Sequence, residues 1–146
     1  MYQTESVIVI DENLERVYAI AQTYPRFVNF YKKKDVIFES QERIVARMAY
    51  SFCGIVLSWE GEGVKNKNKS INFTQTKGLL KGLRANWIFE PQDNKTKVII
   101  RSELRFNSFL GKICEKPLGF LFIPNILTKI LLSLKNCAEN KASVIV

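Results

Sequence analysis

The stretch "MAYSFCGIVLSW", Met48 to Trp59, decides which fold this sequence predicts. Cys53 and Gly54 at its centre fit a two-residue hairpin loop, and such a loop sets the register of the strands on either side. In that register the large apolar residues lie opposite one another: Phe52 and Ile55, Tyr50 and Leu57, Met48 and Trp59. Because a slip of one residue would exchange the two faces, this agreement favours two antiparallel strands with one buried face.

A second hairpin is centred on "QDNK", Gln92 to Lys95, which we take as a four-residue loop. Its register makes three apolar pairs: Phe89 and Val98, Trp87 and Ile100, Leu83 and Leu104. From Val36 to Phe106 apolar residues recur at every second position between short groups of turn residues. This pattern predicts antiparallel strands over residues 35–40, 43–52, 55–65, 70–77, 83–91 and 96–106.

The segments on either side of these strands predict one more strand and three helical elements. "SVIVI", Ser6 to Ile10, is a β-branched run typical of a strand. Asp11 or Asn13 then caps a helix over "NLERVYAIAQTY", and "RFVNFY" after Pro25 predicts a second short helical turn. The chain from Phe109 to about Ala142 is predicted to be helical.

This order of elements, β-αα-ββββββ-α, predicts a single α+β domain over residues 1–146. A sheet with one apolar face needs a cover, and the final helix is the only predicted element large enough. We therefore predict a helix-grip fold, in which a curved antiparallel sheet of about seven strands wraps around a long C-terminal helix.

The least polar stretch, "LGFLFIPNILTKILLSL" from Leu118 to Leu134, does not predict a membrane span. It has 17 residues and contains Pro124, Asn125 and Lys129, and a central lysine alone costs roughly 2.5–3.5 kcal/mol on insertion. After Pro124 it becomes amphipathic, with one stripe of Leu127, Ile130, Leu131, Leu134 and Ala138 and another of Lys129, Ser133, Asn136 and Asn140. Between Pro117 and Pro124 we expect a kink or hinge and a mobile apolar gate.

Composition narrows the possible chemistry. The chain contains no histidine, which removes the commonest general base and metal ligand. The three cysteines have no paired spacing, which predicts reduced thiols. The opening stretch does not resemble an export signal, so we expect a cytoplasmic protein, with peripheral contact at a membrane as a further possibility. We assign no catalytic residue, no metal site and no cofactor, so an enzyme is the less favoured class.

Two segments resemble a known family. "VYAIAQTYPRFVNFY" (Val17 to Tyr31) is similar to the N-terminal helix and tyrosine-proline-x-phenylalanine signature of the coenzyme Q-binding and polyketide cyclase/dehydrase family. "ANWIFEPQDNKTKVIIRSELRFNSFL" (Ala85 to Leu110) resembles its tryptophan-x-phenylalanine-x-proline strand and final strand. The resemblance places the chain in the START-like superfamily, also described as birch-pollen-allergen-like, which has the helix-grip fold.

The resemblance implies a cavity between sheet and helix that binds or transports a hydrophobic small molecule, an isoprenoid quinone or another lipid, in support of respiratory electron transport. It also implies two alternatives, a ribosome-association toxin that regulates translation and a polyketide cyclase or aromatase. The net charge of +8 favours an anionic partner, such as a membrane surface or, less favoured, ribosomal RNA, although lysine-rich surfaces also serve solubility.

The predicted cavity residues follow from the strand register. Extending it across the sheet places five residues in one row: Tyr50, Leu57, Gln75, Ala85 and Ser102. Gln75 and Ser102 would be polar groups on an apolar face, where they meet either a ligand head group and ordered water or the backbone beneath a filled core. The full set of predicted cavity residues is Met48, Tyr50, Leu57, Trp59, Phe73, Gln75, Trp87, Ser102, Phe106, Leu121 and Leu127.

Two further groups of residues have open interpretations. Packing against the sheet edge is the favoured interpretation of five aromatic residues, and a rim at the cavity mouth or a contact with a membrane interface is the alternative: Tyr18, Tyr24, Phe27, Phe30 and Tyr31. Lysines cluster at 32–34, 65–69 and 77–84. Because consecutive hairpin connections alternate between the ends of a sheet, these lysines do not predict one compact phosphate-binding surface.

Overall fold

A computed structural model describes residues 2–52, 54–78, 81–104 and 123–140. The strands are β1 Tyr2–Ile10, β2 Lys33–Glu39, β3 Arg43–Phe52, β4 Ile55–Asn66, β5 Ser70–Gly78, β6 Arg84–Gln92 and β7 Lys95–Leu104. The helices are α1 Leu14–Ala21 and α2 Ile123–Glu139. All seven strands form one antiparallel sheet in the order β1-β7-β6-β5-β4-β3-β2, and both helices contribute to the core on its inner face. The predicted helix-grip fold is confirmed.

Both predicted hairpin registers are confirmed. In the first, Tyr50 pairs with Leu57 and Met48 with Trp59. In the second, Phe89 pairs with Val98 and Trp87 with Ile100, but the loop has two residues rather than four, because Gln92 and Lys95 also pair. Asp93 adopts a φ of 57° in this loop, a left-handed conformation that aspartate tolerates better than most residues.

The segment after α1 differs from the prediction of a second short helix. Asn13 caps α1 by accepting the Arg16 N–H at 2.9 Å, as one of the two predicted caps. After Ala21 the chain forms hydrogen-bonded turns over residues 22–27 and reaches β2 without a second helix. Pro25 has no N–H to donate, so a continuing helix would lose a hydrogen bond there. We call residues 22–32 the turn segment.

Helix α2 has the predicted amphipathic pattern. Its buried residues include the whole predicted apolar stripe, Leu127, Ile130, Leu131, Leu134 and Ala138. Pro124 lies in the first turn, where a missing N–H breaks no intrahelical hydrogen bond, so it does not kink α2. The other residues of the predicted hinge and gate lie outside the described residues. None of the described helices is long and apolar enough to cross a bilayer.

Candidate ligand cavity between the sheet and the C-terminal helix

A small internal cavity lies between the inner face of the sheet, the turn segment and α2. Its volume is about 40 Å³, enough for about two or three water molecules. Its lining is mostly apolar and aromatic: Tyr24, Tyr31, Trp59, Phe73, Gln75, Leu83, Ala85, Trp87, Ser102, Ile123, Ile126, Leu127 and Ile130. A few polar groups converging in an apolar lining are typical of small-molecule sites.

Gln75 is the most polar side chain in this lining, and two backbone hydrogen bonds fix the position of its main chain. Its N–H donates to the carbonyl of Leu83 at 2.8 Å, and its own carbonyl accepts from Gly82 at 2.9 Å. The side chain is 8% exposed, and Oε1 has no hydrogen-bond partner among the described residues. A buried amide oxygen without a partner costs about 1–3 kcal/mol, so a ligand or water that donates to it would be bound favourably.

Two glycines in β4 make room for the side chains of β5. Gly61 pairs with Gln75 and Gly63 with Phe73, and a β-bulge lies between Glu60 and Gly61. A Cβ at Gly61 would lie 2.7 Å from Gln75 Oε1, and one at Gly63 would lie 2.6 Å from Phe73 Cε1. The two glycines of the "GEG" sequence therefore leave the space that Gln75 and Phe73 of the neighbouring strand occupy. The sequence does not have the spacing of a phosphate-binding loop.

Ser102 supplies a second buried polar group. It is 3% exposed, and its Oγ has no hydrogen-bond partner in the part of the chain that the structure describes. It pairs across the ladder with Ala85, whose small side chain leaves space beside the hydroxyl. Ser102 can both donate and accept, so it complements either a carbonyl or a hydroxyl group.

Tyr24 and Tyr31 of the turn segment complete the polar lining. Their hydroxyls form a short hydrogen bond with each other inside the core. Burial raises the pKa of Tyr24 and that of Tyr31 well above the ordinary value, so both phenols remain neutral. Because one O–H is used within a neutral pair, the other can be donated to a molecule in the cavity.

Aromatic contacts hold this tyrosine pair against the sheet. The Tyr24 ring lies 5.1 Å from Phe73 and 5.4 Å from Trp87, and the Tyr31 ring lies 5.8 Å from Trp59. Neither tyrosine is among the residues predicted to line the cavity. The available signal was their place in the aromatic group around Pro25, for which packing against the sheet was the favoured interpretation and a cavity rim the alternative. Both tyrosines pack in the core and also line the cavity.

Six of the predicted cavity residues line the cavity: Trp59, Phe73, Gln75, Trp87, Ser102 and Leu127. Met48, Tyr50 and Leu57 are not among its described lining. Met48 is buried in the hydrophobic core, and Leu57 packs against this core. The Tyr50 hydroxyl points to α2 and donates to Asn125 Oδ1 at 2.8 Å. Phe106 and Leu121 lie outside the described residues. Whether any of these side chains contacts a ligand stays a prediction.

The predicted row across the sheet needs one correction. Tyr50 does pair with Leu57, and Ala85 with Ser102. Gln75 pairs with Gly61 rather than lying beside Leu57, and Ala85 pairs with Phe73 rather than lying beside Gln75. The β4–β5 loop explains the first of these differences, since it spans only residues 67–69 between paired Asn66 and Ser70, with Asn68 at a φ of 59°.

The clustered lysines do not act as one surface. Lys65 is buried, and its Nζ donates to Gln22 Oε1 at 3.1 Å and to the Ser40 carbonyl at 2.9 Å. Burial lowers the pKa of Lys65, against an opposite effect of Glu39. Lys34 Nζ likewise donates to the carbonyls of Arg26 and Val28. These two ammonium groups therefore stabilise loops instead of presenting charge to a partner.

In the part of the chain that the structure describes, no group of three or more cysteine, aspartate or glutamate side chains could hold a metal ion. The residues that the structure describes in the cavity lining include no carboxylate and no amine. Its chemistry is accordingly that of neutral hydrogen-bonding groups, which can orient a ligand.

Comparison with known proteins identifies the family. The family model described as polyketide cyclase/dehydrase and lipid transport matches residues 14–128. The chain belongs to the polyketide cyclase/dehydrase and lipid transport family. No curated protein sequence matches it.

Solved structures agree with this family in fold. TTHA0849 from Thermus thermophilus is 19% identical with a TM-score of 0.79, over 94% of this chain and 97% of that one. The Zhui aromatase/cyclase from Streptomyces sp. R1128 is 12% identical with a TM-score of 0.77, over 99% of both chains. A START superfamily protein from Mycobacterium smegmatis is 11% identical with a TM-score of 0.69, over 95% of this chain and 98% of that one. The fold and the family together indicate that a polyketide cyclase/dehydrase-type domain binds a hydrophobic small molecule.

Proposed function

We propose that this protein binds or carries an isoprenoid quinone or a similar lipid with a polar head, and that the head enters the cavity between the sheet and α2. The observation that carries the proposal is the pair of buried polar groups, Gln75 Oε1 and Ser102 Oγ, without partners among the described residues. Both line one cavity whose other walls are aromatic and aliphatic. The reduced quinol form complements this lining best, because its ring face is apolar and its O–H groups can donate to Gln75 Oε1, whereas the oxidised quinone only accepts hydrogen bonds.

Binding requires the cavity to grow. Its volume of about 40 Å³ is far below the roughly 300–1,000 Å³ of a site that encloses a drug-sized ligand. Four of the lining residues, Ile123, Ile126, Leu127 and Ile130, belong to α2, so an outward shift of this helix would enlarge the site without breaking the sheet. We therefore expect ligand binding to be slower than diffusion and coupled to movement of α2.

The chain's two tryptophans, Trp59 and Trp87, both line the cavity. Their fluorescence therefore reports on the cavity directly. The test is a titration with a short-chain ubiquinone kept in its reduced, quinol form, with a terpene hydrocarbon of matched chain length as the ligand without a head. The Gln75→Leu variant should weaken quinone binding about tenfold through loss of one buried hydrogen bond, with little change for the hydrocarbon.

Thr74→Val is the matched control, since Thr74 is the exposed neighbour of Gln75 on the outer face of β5. It should bind both ligands like the parent. If Gln75→Leu binds the quinone as tightly as the parent does, Gln75 does not contact the head. If neither ligand quenches the tryptophans and mass spectrometry of the purified protein detects no bound lipid, the quinone proposal is wrong.

A cyclase or aromatase function is the second candidate, favoured by the neutral Tyr24–Tyr31 pair beside Gln75. This pair could orient a carbonyl oxygen of a polyketide through one donated O–H. The printed name of one neighbour, the Zhui aromatase/cyclase, describes that activity for that protein. Turnover of a linear polyketide by this chain, lost in Tyr31→Phe, would favour the enzyme over the carrier.

Contact with an anionic membrane and a cytoplasmic location stay predictions. The tip of the β3–β4 hairpin supports membrane contact, since Ile55 and Val56 there are 62% and 52% exposed. Lys33 lies on the same end of the sheet, with a side chain 66% exposed. The ribosome-associated alternative depends on the positive net charge. Lys34 and Lys65 contribute to this charge, but their ammonium groups donate hydrogen bonds to backbone carbonyls within the protein.

A further inference from the structure

The outer side of α2 carries exposed side chains, among them Lys129, Leu132 and Asn136. Together with residues 27–30 of the turn segment it borders an open surface groove of about 450 Å³. The polar stripe of α2, Lys129, Ser133, Asn136 and Asn140, forms one wall, although its sequence pattern alone predicts a solvent-facing surface. This volume lies within the range of about 300–1,000 Å³ that small-molecule sites occupy.

The contacts of Lys129 hold its ammonium group in place at one end of this groove. Nζ donates to the Tyr50 hydroxyl at 3.0 Å. It also lies 5.9 Å from the centre of the Phe30 ring and 5.5 Å from that of the Tyr50 ring, both within cation–π range. Because the Tyr50 hydroxyl donates onward to Asn125, its oxygen is oriented to accept from Lys129.

No carboxylate in the described part of the chain neutralises the charge of Lys129. Among the described residues, none of the ion pairs involves Lys129, and it is the only charged residue in the described lining of the groove. Burial raises the pKa of the Cys137 thiol in the same lining, so this group stays protonated and adds no negative charge. An ammonium has three donors, and the Tyr50 contact uses one of them.

The rest of the groove offers both polar and apolar contacts. Asn29 and Asn136 carry amide donors, while Phe27 and Phe30 form an aromatic wall. Leu132 belongs to the lining and is 48% exposed, an unusual position for a leucine on an otherwise polar face. A charged head group and an apolar body could therefore be bound at the same time.

We propose that this outer groove binds an amphiphilic anion, a carboxylate or phosphate monoester on an apolar chain, with Lys129 as the counter-ion and Phe27, Phe30 and Leu132 against the chain. The site is separate from the internal cavity, because α2 presents Leu127 and Ile130 to the cavity and Lys129 and Ser133 to the groove. It does not depend on the proposed function of the cavity.

The experiment is a titration of the ¹⁵N-labelled protein with decanoate, octyl phosphate and 1-decanol, the two anions below their micelle concentrations and the alcohol below its solubility limit. Decanoate should shift the amide signals of Phe30, Lys129 and Asn136, and 1-decanol should bind at least about fivefold more weakly because it lacks the charge. Raising the salt concentration should weaken decanoate but not decanol binding. Comparison of decanoate with octyl phosphate separates a fatty-acid ligand from a phosphate ligand.

Lys129→Gln should weaken decanoate binding about tenfold, and Lys129→Arg should retain most of it. Lys67→Gln removes the same charge from the β4–β5 loop and should have no effect. Equal binding of decanoate and decanol, or unchanged binding in Lys129→Gln, would overturn the proposal. Tryptophan fluorescence gives the remaining control, because quenching by decanoate that Gln75→Leu abolishes would place the anion in the cavity instead.

Discussion

The two sides of α2 offer two different environments for a ligand. On the inner side, the polar groups that the described residues contribute to a cavity of about 40 Å³ are all neutral. On the outer side, a groove of about 450 Å³ contains an ammonium group held by aromatic rings. The difference follows from solvation, since an unpaired charge is costly to bury, whereas a partly exposed one keeps most of its hydration. One amphipathic helix can therefore serve a neutral head group inside and an anionic one outside.

The largest expected contrast between the two sides is in packing. Leu134 is 0% exposed and Leu132 is 48% exposed, two residues apart on the same helix. Leu134→Ala should lower the free energy of unfolding by about 2–5 kcal/mol, because it leaves a hole in a close-packed core. Leu132→Ala should change it by less than about 1 kcal/mol. Urea unfolding of both variants measures this difference, and equal effects would contradict the assignment of two unlike faces.

A smaller contrast is expected between the two glycines of β4. Gly63→Ala should cost about 1–3 kcal/mol, because the new methyl group would overlap the buried Phe73 ring. Gly61→Ala should remain within about 1 kcal/mol of the parent, since the end of the Gln75 side chain can move away.

The two glycine variants also separate stability from ligand binding. Gly61→Ala should weaken binding of the ubiquinone head in the fluorescence titration, while decanoate binding in the groove stays unchanged. If Gly61→Ala binds the quinone like the parent, the orientation of the Gln75 amide is unimportant for the cavity.

The smallest expected effect concerns the tyrosine pair at high pH. Because burial raises the pKa of Tyr24 and of Tyr31, the folded protein keeps both protons at a pH where the unfolded chain loses them. Stability should therefore fall as the pH rises above about 10, the ordinary pKa of tyrosine.

The double variant Tyr24→Phe/Tyr31→Phe should lose less stability than the parent between pH 9 and pH 11. At pH 8 the single variant Tyr31→Phe should cost about 1 kcal/mol, because it leaves the Tyr24 hydroxyl without its partner. Denaturant unfolding at the three pH values tests both statements. Parallel pH profiles for the parent and the double variant would mean that the pair is not buried as described.

Local patterns predicted most of the fold correctly. The boundaries of β3, β4, β5 and β6 fall within one residue of the predicted strands. In both predicted hairpins, a short loop couples the facing residues directly, so alternation of apolar residues was sufficient to find the register. The β4–β5 offset was wrong because a loop shorter than predicted shifts Gln75 along its neighbour, and loop length leaves no clear periodic signal.

The helix-grip architecture, two hairpin registers and the amphipathic pattern of α2 could be predicted from the sequence, because each depends on patterns of residues close together in the chain. The structure was needed to find that Tyr24 and Tyr31 reach the cavity and that Gly61 makes room for Gln75. It also decided that Lys129 rests on Tyr50, 79 residues away in sequence. The physical reason is that burial and charge solvation depend on which distant surfaces meet, and periodicity within one element carries no information about its neighbours.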